Sequence, residues 1–349
     1  VTSENRIEDL DVVRGLALCG IHVVNVYQQV VLPQVYPEGI GFGLAELPDV
    51  VRYGFYERFL PLFTLLFGVS AGIFLARAAR RTDRPRVVLA RRLAALAVLG
   101  VLHQLVHPGE VLLVYAVLGL VVLLPGSWLT GTAACVTGVA LVLVGGQLVP
   151  GYGVMPGLLV LGLGLARRGV PEGLGRHPGR VAATFATCTA VAVAYIGAIS
   201  AGVSVPTLSW GWSSLTGQLV GICTGLAYAT GTVLLLRTRA GGALRAALAP
   251  MGRTALTNYL LATALMLGLA GPLGIDGLDD GGAIAVLVLL IIVLEAVASA
   301  WWLRRFRYGP VEWLWRCVTW WERVPLRRAG PGDDVAADVV GHHGRHGHA

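Results

Sequence analysis

Lysine is missing from this chain, and all 27 of its basic residues are arginine. Charge of either sign is scarce, at 13% of 349 residues against 55% hydrophobic, which is too little to clothe soluble domains of that size. The scarcity also turns the formal net charge of +7 away from nucleic acid, because basic loops beside membrane spans follow from topology alone. Cysteine is sparse and unpatterned. Cys19, Cys135, Cys188, Cys223 and Cys317 show no CxxC spacing and mostly sit inside apolar runs, which excludes a disulfide framework and a thiolate metal site. No internal repeat suggests inverted transporter halves, and the first apolar run follows an acidic leader as a retained span, not a cleaved signal.

Long apolar runs are what the sequence has instead. A hydrocarbon core about 30 Å thick asks for about 20 apolar residues per helix. Ten such runs are assigned: Leu10 to Leu32, Phe59 to Ala78, Val88 to Val106, Val111 to Leu124, Trp128 to Val149, Met155 to Ala166, Val181 to Val203, Leu215 to Leu236, Ala255 to Leu273 and Ala283 to Leu303. The expected fold is an all-α, polytopic helical membrane domain over residues 1–328, followed by a disordered His-rich tail over 329–349. Within it, residues 304–328 mix Trp with Arg as an interfacial helix would.

Arginines give the direction. Arg77 to Arg92 crowd the second connection, Arg167 to Arg180 the sixth and Arg237 to Arg253 the eighth, whereas the ninth holds Asp276, Asp279 and Asp280. Even connections therefore read as basic and cytoplasmic, with both termini on that side, in a cell membrane.

Ionisable groups inside spans are costly and become functional candidates. Asp11 and Arg14, three residues apart, share a face and can pair, while His22 and Asn25 lie deeper on the same helix. The densest group is LGVLHQLVHPGEVLLVYAVLG, where His103 and His107 share a face and the Pro108-Gly109 turn returns Glu110 and Tyr115 beside them. A carboxylate beside an imidazole fixes its tautomer and raises its basicity, so His103 with Glu110 reads as a general base; an interfacial polar cap is the structural alternative. Metal or haem ligation by His103 and His107 is not expected, since neither HExxH nor an obvious third ligand accompanies them. Asn258, Tyr259 and Glu295 either bind substrate or join helices.

Several stretches together resemble one family. RIEDLDVVRGLALCGIHVVNV, FLPLFTLLFGVSAGIFLAR, the His103 hairpin, GRTALTNYLLAT and FRYGPVEWLWRCVTW are similar, in order, to motifs of the YeiB-like bacterial membrane proteins, domain of unknown function 418. That family is distantly similar to transmembrane acyltransferases such as heparan-alpha-glucosaminide N-acetyltransferase and the acyltransferase-3 group, which carry an acyl group from cytoplasmic acyl-CoA to an acceptor on the far side. The resemblance implies an active-site role for Asn25. The acetyltransferase's catalytic His has no counterpart in VYQQVVLPQVYPEGIGF, which leaves His103 as the expected base.

The combined expectation is a membrane O- or N-acyltransferase using acyl-CoA. His103, Glu110 and Asn25 would be catalytic; Asp11, Arg14, His22, His107, Tyr115, Asn258 and Tyr259 would bind substrate; Arg91, Arg92, Trp313 and Arg316 would hold the CoA. Small-molecule, lipid or glycan acceptors fit it, and a homodimer is compatible with it. A transporter or exporter, or a non-catalytic membrane protein, is the alternative.

Overall fold

The computed structural model describes residues 7–35, 47–149, 152–203 and 214–328; the expected His-rich tail lies outside them. Twelve helices organise these residues: α1 Glu8–Val26, α2 Phe59–Ala78, α3 Pro85–His103, α4 Leu112–Leu118, α5 Gly131–Leu148, α6 Met155–Arg167, α7 Pro178–Ser200, α8 Leu215–Leu235, α9 Gly241–Arg253, α10 Ala255–Leu269, α11 Gly281–Arg305 and α12 Pro310–Trp320. Among the described residues no strand forms beyond one isolated bridge, Phe306 with Arg327. The protein is an all-α polytopic membrane protein, as its composition requires.

Each of the ten assigned spans falls on a helix, and α9 and α12 are additional. The runs containing α1, α2, α5, α7, α8 and α11 are long and apolar enough to cross a membrane. α3 opens with Pro85 and carries Arg86, Arg91 and Arg92 in its first half. α4, which runs on to Gly126, α6 and α10 are shorter. At about 1.5 Å per residue, fifteen residues reach only about 22 Å of a core about 30 Å thick, so α4 and α10 leave membrane depth for non-helical features.

α9 fills the eighth connection, where the apolar runs assign no helix. Leu248 and Met251 bury one of its faces while Pro250, near its end, suggests a break from sequence. Backbones meet there without side chains between them: a Cβ on Gly252 would lie 1.8 Å from the Asp11 carbonyl oxygen, and one on Gly15 2.2 Å from that of Leu248. α2 and α6 interlock the same way, through Gly68 against Leu159 O and Gly162 against Leu65 O. The glycines of the RG, LFG and GR motifs are therefore helix-contact residues.

Hydrogen bonds between connections fix two faces. On one, Arg86 donates to Ser127, Arg167 to Leu129 O and Ser127 O, Arg237 to Gly175 O, and Arg245 to Asp9. The start of α1 thus shares a face with the even connections. The fourth connection has no arginine of its own, contrary to a uniform basic pattern, but is held by Arg86 and Arg167 from its neighbours, while Arg168 donates to Thr132 in the first turn of α5. On the opposite face Gln29, beyond the end of α1, donates to Pro108 O in the third connection, and Gln218, at the start of α8, donates to Gly146 O near the end of α5.

α1 lies centrally, packed on α2, α8, α9, α10 and α11. α5 and α7 are peripheral, with Val136, Val139, Phe185 and Val193 exposed; in a bilayer such apolar faces meet lipid. All five cysteines are free thiols.

Candidate functional site

Two cavities enter the bundle beside the short helices. The first, about 240 Å³, is lined by Arg14, Ser70, Arg92, Tyr115, Arg253, Glu312, Trp315 and Tyr259 among apolar side chains, so it belongs to the Arg-rich side. The second, about 450 Å³, is lined by Asn25, Gln28, Gln29, Tyr56, Glu57, His107, Tyr152 and Tyr259, so it belongs to the opposite side. Ile21, Val111 and Tyr259 line both and form the partition between them.

The Arg-side cavity is built by two sequence motifs closing on each other. Glu312, in the first turn of α12, accepts from Leu256 N at 2.7 Å and Thr257 N at 3.0 Å, capping the head of α10 where orphan amides and the helix dipole favour a carboxylate. Trp315, one turn on, donates from Nε1 to Arg92 O at 2.7 Å and supports the Arg92 guanidinium 3.5 Å from its ring centroid. Arg14 binds Asp11 Oδ1 at 2.8 Å, the pairing expected from their spacing, and also Ser70 Oγ at 2.8 Å. Tyr115 stacks on Phe67 and bonds Thr64 Oγ1 at 2.9 Å, which leaves its ring as wall. With Arg14 paired to Asp11 and Glu312 set against the head of α10, Arg92 and Arg253 leave this cavity a positive balance.

On the opposite side the polar groups form a chain. His107 lines the cavity, and its Nδ1 lies 2.9 Å from Thr263 Oγ1. The same oxygen is 3.0 Å from Nε2 of His103, whose Nδ1 is 3.5 Å from Glu110 Oε2. If Glu110 holds a proton on His103 Nδ1, the single Thr263 proton points to His103 Nε2 and His107 Nδ1 must donate. His107 Nε2 is then left as an acceptor. Tyr259 stands against both rings, at 5.4 Å and 6.1 Å, with its phenol within hydrogen-bonding reach of Asn25 and the Val111 backbone.

Several expected residues have other work. Glu110 accepts from Leu112 N at 2.6 Å and Leu113 N at 2.9 Å, so capping α4 is its closest engagement and the 3.5 Å contact with His103 is secondary. His103 is buried and lines neither of the two cavities, whereas His107 lines the second. His22 pairs with Glu295 at 2.8 Å across α1 and α11. Asn258 exchanges bonds with Ser299, Arg91 stacks on Trp321, Trp313 donates to Val324 O and Arg316 covers Tyr308; none of them lines these cavities. Of the four residues expected to hold CoA, Arg92 alone reaches the Arg-side cavity. Ser70, Arg253, Trp315, Thr263 and Glu57 were not singled out from sequence.

His107 lies in the turn after α3, outside the spans, and burial, with His103 beside it, lowers its pKa from 6.5 to about 4. The unfolded chain therefore binds the extra proton between those values. The stabilising effect of the neutral ring is fully present above pH 6.5 and is lost as pH falls toward 4. Thermal unfolding in detergent should decline across that window for the wild type, and His107→Gln should flatten the decline.

Comparison with known proteins agrees with the motifs. The family model described as "Protein of unknown function (DUF418)" matches residues 165–322. An uncharacterized 39.9 kDa protein of the amylase 3' region of Bacillus acidopullulyticus is 30% identical over 93% of this chain and 97% of its own length. Uncharacterized protein YeiB of Escherichia coli (strain K12) is 26% identical over 92% and 97%, and uncharacterized protein YxaH of Bacillus subtilis (strain 168) is 32% identical over 35% and 33%. No solved structure matches. Over nearly its whole length, then, the chain belongs to the YeiB-like family of membrane proteins, DUF418.

Proposed function

We propose that this protein is an acyltransferase of the cell membrane, moving an acyl group from acyl-CoA on the cytoplasmic side to a hydroxyl or amine acceptor on the outer side. The observation that carries the reading is the pair of cavities that share Ile21, Val111 and Tyr259 as lining, with opposite chemistry on the two sides. Positive loops remain cytoplasmic, which puts the arginine-lined cavity on the side where CoA is found.

Arg14, Arg92 and Arg253 would bind CoA phosphates, Trp315 would face the adenine, and the apolar wall would take the acyl chain. In the outer cavity His107 Nε2 would take the acceptor proton as the acceptor attacks the thioester carbonyl. Thr263 would pass a proton on to His103, whose cationic form sits beside Glu110. The C–S bond breaks, the CoA thiolate leaves toward the cytoplasm and collects a proton there. Asn25 and the Tyr259 phenol are the donors next to the partition, where the carbonyl oxygen would gain charge.

Two opposed cavities with a thin partition also suit an occluded transporter. Purified protein in detergent given acetyl-CoA should release free thiol when a mixture of candidate acceptors is added, and Arg92→Ala should raise the concentration of acetyl-CoA required. Absence of both thioester binding and thiol release would favour the transporter.

A further inference from the structure

The outer cavity contains one carboxylate that the acyl-transfer chemistry does not use. Glu57 sits in the turn ahead of α2, half-buried, and lines the cavity. Among the described residues it forms no ion pair. Its sequence neighbour Arg58 is buried, turns Nε to Tyr53 O at 3.4 Å and lies near enough for its charge to act on Glu57, without lining the cavity. Glu57 also adopts φ 60°, a left-handed conformation that costs a residue with a side chain and is held only where its surroundings enforce it. The phenols of Tyr56 and Tyr152 lie near enough to feel its charge.

Across the cavity, α1 passes into a π-helical turn, Tyr27–Val31, that carries Gln28 and Gln29 to the lining. Gln29 lines the cavity and donates from its amide nitrogen to Pro108 O at 3.1 Å. The lining thus offers one carboxyl group, whose pKa burial pushes up to about 8 and which a bound cation would hold ionised, several amide and phenol groups, and no arginine. A volume of about 450 Å³ falls within the roughly 300–1,000 Å³ of small-molecule sites.

We infer that the outer cavity binds a small hydroxylated amine as its ammonium ion, with Glu57 as counter-charge, Tyr56 and Tyr152 as ring walls and Gln28, Gln29 and Asn25 taking hydroxyl groups. A carboxylate flanked by aromatic rings suits an ammonium and repels phosphates and carboxylic acids. Naming this ligand the acceptor rests on the acyl-transfer reading; its binding rests on the cavity alone.

A matched pair of probes tests the inference. Serinol and glycerol have the same shape and differ by an ammonium in place of one hydroxyl. Titrated into detergent-purified protein without acyl-CoA and followed by saturation-transfer NMR, serinol should bind at least tenfold more tightly than glycerol. Glu57→Gln should remove that preference. Glu57→Gly should remove it too while raising the unfolding temperature, because glycine accepts the positive φ without strain; this separates lost binding from lost folding. Equal binding of both probes, or serinol binding undiminished in folded Glu57→Gln and Glu57→Gly proteins, would overturn the proposal. Serinol binding without thiol release would keep this site and remove acyl transfer; thiol release without serinol preference would do the reverse.

Discussion

Glu295→Ala is expected to cost about 1–3 kcal/mol, the range for a buried polar group left without its hydrogen-bond partner. Glu295 Oε2 and His22 Nε2 are 2.8 Å apart with neither side chain exposed. Glu295 Oε1 and His22 Nδ1 have no other partner among the described residues, so the pair depends on one contact. Alanine would leave the imidazole unpaired at membrane depth between α1 and α11. Glu295→Gln keeps a hydrogen bond and should lose much less, and replacing both residues by leucine should recover part of the loss. Thermal unfolding in detergent orders the four proteins. Alanine as mild as glutamine would show that the pair holds nothing together.

His107→Ala should lower the transfer rate by about 10²–10⁴-fold, the usual contribution of a positioned base, with acyl-CoA binding little changed. The ring lines the outer cavity and is separated by the Tyr259 partition from the arginines, so donor affinity and chemistry should separate cleanly. Thr263→Val interrupts the chain behind His107 while leaving its ring in place, and should give a smaller loss. Single-turnover release of CoA thiol measures the step. If His103→Ala were severe and His107→Ala mild, the base would be His103, and the relay would run in a different order.

The sequence was informative where physics acts locally. Apolar runs located ten helices because each span must satisfy the bilayer by itself, and Arg14 three residues after Asp11 announced its own pairing. α9 was hidden because Pro250 and its arginines mask a helix buried on one face only. Motif glycines stood out as conspicuous residues, but their purpose, backbone contact between α1 and α9, needs both helices in place. The site was half legible: Asn25, His107, Tyr259, Arg14 and Arg92 line the cavities, whereas Thr263 joins His103 from 160 residues away and Glu295 meets His22 across 273. Glu57 offered only a carboxylate ahead of an apolar run. Its backbone conformation, which singles it out, has no sequence signature.

Two cavities that reach one partition from opposite sides, the arginine-lined one receiving acyl-CoA, can be told apart by side and by protection. In a chain with its five cysteines replaced, Ser70→Cys and Gln28→Cys place one thiol in each cavity. Labelling each with a membrane-impermeant maleimide, in right-side-out and everted vesicles, reads both sidedness and occupancy. Ser70→Cys should react only from the cytoplasmic side and be protected by acyl-CoA, and Gln28→Cys should react only from the outside and stay unprotected. Labelling of both from one side, or no protection of Ser70→Cys at saturating acyl-CoA, would contradict the account.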